Sequence, residues 1–295
     1  MTLQLIRNQL WRFCLTVFCF VGTAWGIEPV SGDFATINDA RSSQLVIWRT
    51  VVNPEIYIFD FPNLTMQGRT FNRITHFAEQ QSGAAALRVF NDADMAQHIA
   101  AAKRTTADFA FGHDVMVWDL ARFFTMADRD KVELHSEETA LRDFLVEQGL
   151  LRFWRAIWLP LKPLGVILSV PQVQDKRDDE PGITKLARYT VLLHEMAHGE
   201  YFSNPPYAAY CQHFWNESLN DEQREKFRSF LTKYNYSIKD SDLLVNEVQA
   251  YLMFTPDPAS FNAKKLDVLS QELDAMRNTF RSGNPPTRLP LKQEE

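Results

Sequence analysis

The reading turns on Leu186-Ala187-Arg188-Tyr189-Thr190-Val191-Leu192-Leu193-His194-Glu195-Met196-Ala197-His198-Gly199-Glu200-Tyr201-Phe202. The run contains no proline. Pro181-Gly182 precedes it and Asn204-Pro205-Pro206 follows it. These breakers predict one helix from about Ile183 to Phe202, with regular structure stopping at Asn204. On a helix, residues four apart share a face, so His194 and His198 project side by side. Two imidazoles at that spacing can hold one Zn²⁺ through neutral ring nitrogens. Glu195 sits beside the first ligand, where its carboxylate can reach a metal-bound water without ligating the metal, as a general base must. Val191, one turn earlier, gives the pair apolar support.

Two histidines do not complete a catalytic zinc site, which takes three protein ligands and an open water position. An extended motif with a ligand six residues after His198 is excluded, because position 204 is Asn. The sequence favours Glu247, in Asn246-Glu247-Val248-Gln249-Ala250-Tyr251. It lies on a second predicted helix, which Asp240 or Ser241 caps and which runs to Phe254 before Pro256. An acid among Leu243, Leu244, Val245, Val248 and Leu252 needs a partner, and a metal supplies one. His213, Glu217, Asp240 and Asp242 are the rival third ligands. Tyr251, Tyr207, Tyr210 and His213 are candidate donors to a developing oxyanion.

Upstream, Leu45–Val52 and Ile56–Phe61 are β-branched and apolar, and Asn53-Pro54 between them suggests a hairpin. Helical spacing recurs at about 66–80, 92–103, 114–126 and 137–147. Ile157-Trp158-Leu159 and Val166–Val170 read as short strands split by Pro160, Pro163 and Gly165, and one of them is expected to be an exposed edge that pairs with an extended peptide. Downstream, helices are expected at about 220–234 and 263–280, before a polar, proline-rich tail. The fold class is therefore α+β: mostly helical, with a small N-terminal β element and the motif helix facing a second ligand-bearing helix. Residues 27–295 read as a single domain, helix-rich over 27–150, catalytic over 151–280 and flexible over 281–295.

The chain has 295 residues, of which 45% are hydrophobic, enough for a sizeable core. Net charge is -6 and no basic run stands out, so nucleic acid is not an expected partner. Arg7 and Arg12, the apolar run Phe13–Val21 and Ala24-Trp25-Gly26 read as a signal peptide over 1–26. That places the mature chain in the periplasm or outside the cell, with no stable membrane span. Cys14 and Cys19 would leave with it. Cys211 alone cannot make an internal disulfide and reads as a half-buried hydrophobe. Three further features read as structural: Gly112-His113-Asp114 as a hydrogen-bonded pair, Asp128/Asp130/Glu133 as an incomplete calcium loop, and Asp178-Asp179-Glu180 as a solvated loop.

The helix with His194-Glu195-Met196-Ala197-His198, followed by a later helix with Asn246-Glu247, resembles the gluzincin (thermolysin-like) zinc metallopeptidases. The surrounding His198–Phe202 string also resembles a group of exported bacterial proteins. The first resemblance covers the two helices, roughly a quarter of the mature chain. It implies that His194, His198 and Glu247 ligate zinc, that Glu195 is the base, and that the substrate is a peptide or protein. Thermolysin-like enzymes carry an Asp four residues after the ligand Glu. Tyr251 stands there in this chain, so the surroundings of the ligands differ. A zinc amidase acting on cell-wall peptide and a non-catalytic exported binding or scaffold protein are the alternative expectations.

Overall fold

Ile56–Phe61 and Val166–Pro171 are buried along their whole length, and their side chains alternate between two cores. Ile56, Ile58, Val166, Leu168 and Val170 point into one apolar cluster, and Tyr57, Phe59, Phe61 and Ile167 into the other. A sheet that is apolar on both faces needs cover on both, and helices supply it here. The fold is α+β, as the sequence implies.

The computed structural model describes residues 26–78, 87–234, 236 and 240–291. The expected leader, Gly26 excepted, lies outside them. The first elements are β1 (Val30–Gly32), α1 (Phe34–Asp39), β2 (Val46–Thr50), β3 (Ile56–Phe61), α2 (Leu64–Ala78) and α3 (Asp92–Ala101). Next come β4 (His113–Met116), α4 (Val117–Asp130), α5 (Ser136–Glu147), β5 (Leu151–Trp154), β6 (Ile157–Pro160) and β7 (Val166–Pro171). The motif helix α6 (Lys185–Ser203), α7 (Pro205–His213), a π-helical turn (Phe214–Ser218) and α8 (Asp221–Lys233) follow. Then come α9 (Ser241–Phe254), α10 (Ala263–Leu266) and α11 (Ser270–Ser282).

Five strands form a mixed sheet in the order β1-β2-β3-β7-β4. The β2–β3 hairpin forms as expected, with Trp48 opposite Ile58. β7 enters parallel to β3, and β4 closes the sheet antiparallel to β7, with Asp114 opposite Leu168. Strands from both halves of the chain thus join one sheet. β5 and β6 stand apart as a two-stranded hairpin. The expected substrate edge is corrected for β7, which is paired on both sides; β6 is an edge only of the separate hairpin, and the edges of the five-stranded sheet are β1 and β4.

Four boundaries also differ. The helix expected over 114–126 begins only at Val117, because His113 and Val115 are drawn into the sheet and buried. Asn204-Pro205-Pro206 starts a helix rather than ending regular structure: Tyr207 N–H donates to Asn204 Oδ1 at 3.4 Å, and proline at the first position loses no helical bond. The helix expected over 263–280 breaks at Asp267, whose φ is 63°. The tail is packed rather than free as far as Leu291, with Leu289 buried and Arg288 bonded to Glu200.

α6 lies against β3 and β7, and two residues set that distance. A Cβ at Gly199 would stand 2.7 Å from Ile56 Cδ1, so the helix comes this close only without one. Arg188 is fully buried and donates to both oxygens of Asp60 on β3, at 2.7 and 2.9 Å, and to the carbonyls of Pro171 and Ile37. The motif helix is therefore anchored by an ion pair at its start and by close packing just after His198.

Candidate metal centre

α6 and α9 cross so that His194, His198 and Glu247 converge. The two Nε2 atoms are 3.1 Å apart. Glu247 Oε2 is 3.8 Å from the first and Oε1 is 3.7 Å from the second. The outer nitrogen of each ring is already committed. His198 Nδ1 is 2.9 Å from Asn246 Oδ1, and Asn246 Oδ1 also accepts from Gln249 Nε2 at 3.1 Å. Gln249 Oε1 in turn accepts from Tyr207 Oη at 2.8 Å. His194 Nδ1 is 2.8 Å from Thr255 Oγ1, whose own hydroxyl donates to Ala250 O at 2.9 Å. Both partners therefore accept, and both Nδ1 atoms carry the hydrogen. In the neutral rings each Nε2 presents a lone pair to the other. A proton or a metal ion must sit between them.

Electrostatics point the same way. Burial pulls His198 down. The carboxylates of Asp114, Glu247 and Glu195 and the bond to Asn246 outweigh that and hold its pKa up at about 9. His194 is driven well below the usual histidine range by burial and by its charged neighbour His198. Without metal, the proton thus resides on His198 and occupies the space that a cation would take. Glu195 is pushed well above the usual carboxylate range by burial first, then by Asp114 and Glu247, with His198 opposing. Its Oε2 is buried and accepts no hydrogen bond.

Asp114 is the residue that sequence reasoning passed over. It stands on the edge strand β4, and its carboxylate forms with Glu195 and His198 a second group of atoms within 4.8 Å of one another. His113 is structural, as expected, although not through Asp114. Its Nδ1 meets Ser169 Oγ at 2.7 Å and its Nε2 meets Asn72 Oδ1 at 3.0 Å, and burial pushes its pKa down to about 3. Alternation on a strand then sends Asp114 to the opposite face, toward α6. The signal available was that alternation, which a helical reading of 114–126 concealed. Gly112 lets the edge strand approach: a Cβ there would stand 2.1 Å from Glu195 Oε1.

The rival ligands lie elsewhere. His213 and Glu217 are exposed, Asp240 caps α9 through the amides of Asp242 and Leu243, and Asp242 accepts from Gln212. Among the oxyanion candidates, Tyr207 is tied to Gln249 and Tyr210 donates to Phe280 O. Tyr251 alone borders the site, its ring 4.8 Å from that of His194 and set edge-on. Cys211 is buried and held up at about 12, chiefly by burial, so it is a packing residue rather than a nucleophile. Glu180 is buried rather than solvated: it caps α2 by accepting from Leu64 N and Thr65 N, each at 3.1 Å.

Compared with known proteins, the chain matches no family model, no curated protein and no solved structure.

Proposed function

We propose that the chain is a zinc-dependent peptidase of thermolysin-like design, acting on peptide or protein substrate in an exported compartment. His194, His198 and Glu247 would hold the ion and Glu195 would act as base. One observation carries this reading: two Nε2 atoms 3.1 Å apart, each with its Nδ1 hydrogen committed outward, joined by a carboxylate. Two ligands about 2.05 Å from one tetrahedral zinc lie about 3.3 Å apart, so the spacing suits a shared ion. Two histidines and a carboxylate leave a fourth position open, as catalysis requires and a closed structural site does not. When bound, zinc polarises a carbonyl and brings the pKa of its water to about 7.

The chain's own groups account for the rest. Glu195 has an unengaged oxygen, and its surroundings make it a stronger base than an exposed carboxylate. In this reading it takes the proton of the attacking water and returns it to the leaving amine. Its carboxylate lies against the backbone at Gly112, the residue that leads into β4. An extended peptide that pairs with this free edge would run directly over it. The unengaged Glu195 also favours an enzyme over a scaffold, because a structural site has no use for a base.

The test is zinc content together with peptide hydrolysis, for wild type, Glu195→Gln and Glu247→Ala. Glu195→Gln should keep the metal and lose at least about a hundredfold in kcat. Glu247→Ala should lose most of its zinc affinity. Full turnover in Glu195→Gln, or wild-type zinc affinity in Glu247→Ala, would overturn the assignment.

A further inference from the structure

The β5–β6 hairpin has no part in the metal centre. Its turn is Arg155-Ala156, with φ of 47° and 66°, a two-residue loop whose twist suits its strands. Two strands alone are marginal in water, and one face of the hairpin is docked on α4. There Trp158 meets the ring of Phe124 at 6.2 Å and donates its indole hydrogen to Asp128 at 2.8 Å. The tip and the other face are open. On that other face Trp154 and Ile157 are 52% and 43% exposed, while Phe153 shares the docked face with Trp158, meets its ring at 5.1 Å and is still 52% exposed near the tip. The chain beyond adds exposed Leu161 and Leu164. Val117 N–H donates to Gly165 O at 2.9 Å, which brings the exposed Trp118 to the base of the same patch.

The charges that the hairpin segment itself contributes are all positive, with Asp128 of α4 held at its docked face. The guanidinium groups of Arg152 and Arg155 lie over the Trp154 ring at 5.8 and 5.4 Å, and Lys162 follows. No Asp or Glu occurs between Glu147 and Asp175, although the chain as a whole carries -6. Exposed Trp, Phe and Leu side chains flanked by arginine and lysine match an anionic bilayer surface. The aromatic rings favour the headgroup level and the cations are drawn to acidic lipid. No described helix is long and apolar enough to cross a membrane.

We propose that the β5–β6 hairpin is a docking element that seats this protein peripherally on a membrane carrying anionic lipid. Trp154, Phe153 and Ile157 enter the interface, and Arg152, Arg155 and Lys162 meet the phosphates.

Hydroxyl-radical footprinting of the full chain, read by mass spectrometry, tests it residue by residue. Vesicles of phosphatidylcholine with phosphatidylglycerol should reduce modification of Phe153, Trp154 and Ile157 severalfold, while exposed Val51 and Val52 stay reactive. Pure phosphatidylcholine should not protect the hairpin. Each cation contributes about fivefold to binding, so Arg152→Gln/Arg155→Gln/Lys162→Gln should lose about a hundredfold and abolish the protection. All three side chains are exposed, so the variant should fold, which circular dichroism checks. Unchanged hairpin modification in the presence of anionic vesicles overturns the proposal, whichever other segment binds them. Protection that rises with protein concentration in the absence of lipid assigns the face to a second copy and overturns it too.

Discussion

A methyl group at position 112 would stand 2.1 Å from Glu195 Oε1, so Gly112→Ala must move either the base or the edge strand. Under the proposed function the variant is expected to bind zinc as the wild type does and to lose about tenfold or more in kcat, as metal content and steady-state kinetics would show. The outer partners of the histidines should act on affinity instead. Thr255→Val removes the acceptor for His194 Nδ1. It should weaken metal binding by about 10–100-fold, measured by competition with a chelator. Protonation gives a third test. His198, held up at about 9, must lose its proton to ligate. Metal affinity should therefore rise with pH by about tenfold per unit up to about pH 9 and then level off. The sign for stability is the opposite. A raised histidine pKa stabilises the metal-free fold fully below the ordinary 6.5, and the contribution fades as pH rises through about 9. Denaturant midpoints of metal-free protein between pH 6 and 9 would reveal that decline.

At the scale of elements, α6 matters because it is held rigidly against the sheet. The Arg188–Asp60 pair has no exposed side-chain surface at either end. Arg188→Met would strand the buried Asp60 and is expected to cost about 3–5 kcal/mol, read from equilibrium unfolding. Elements with one dominant period were legible. α6, α9 and the β2–β3 hairpin fall within a few residues of the ranges their patterns imply. β4 was not legible, because its alternation spans only four residues, His113–Met116, and runs straight into the apolar start of α4, so a helical reading absorbs it. Its strand state is decided by hydrogen bonds to β7, about fifty residues away in sequence.

At the scale of the molecule, Glu200 ties distant parts together. Two residues beyond His198, it accepts from Asn53 at 2.6 Å, Asn204 at 2.9 Å, and the backbone and guanidinium of Arg288 at 3.2 and 3.1 Å. Its side chain is only 1% exposed. Deleting residues 285–295 would remove the Arg288 bonds and uncover the surface that Leu289 buries. A loss of roughly 2–4 kcal/mol is expected, visible as a lower Tm. The segment reads as a polar tail because Leu289 and Arg288 stand among prolines and polar residues and carry no periodic signal.

The sequence by itself picked out the residues that meet at the candidate centre. Spacing of four on a helix places His194 beside His198, and an acid on an apolar helix marks Glu247, because both are consequences of local geometry and burial. Only the tertiary structure decided what surrounds them. The Nδ1 partners Thr255 and Asn246, the carboxylate of Asp114 and the glycine that admits Glu195 beneath the edge strand come from separate parts of the chain. Their meeting depends on how α9 and β4 pack against α6, which no local periodicity encodes.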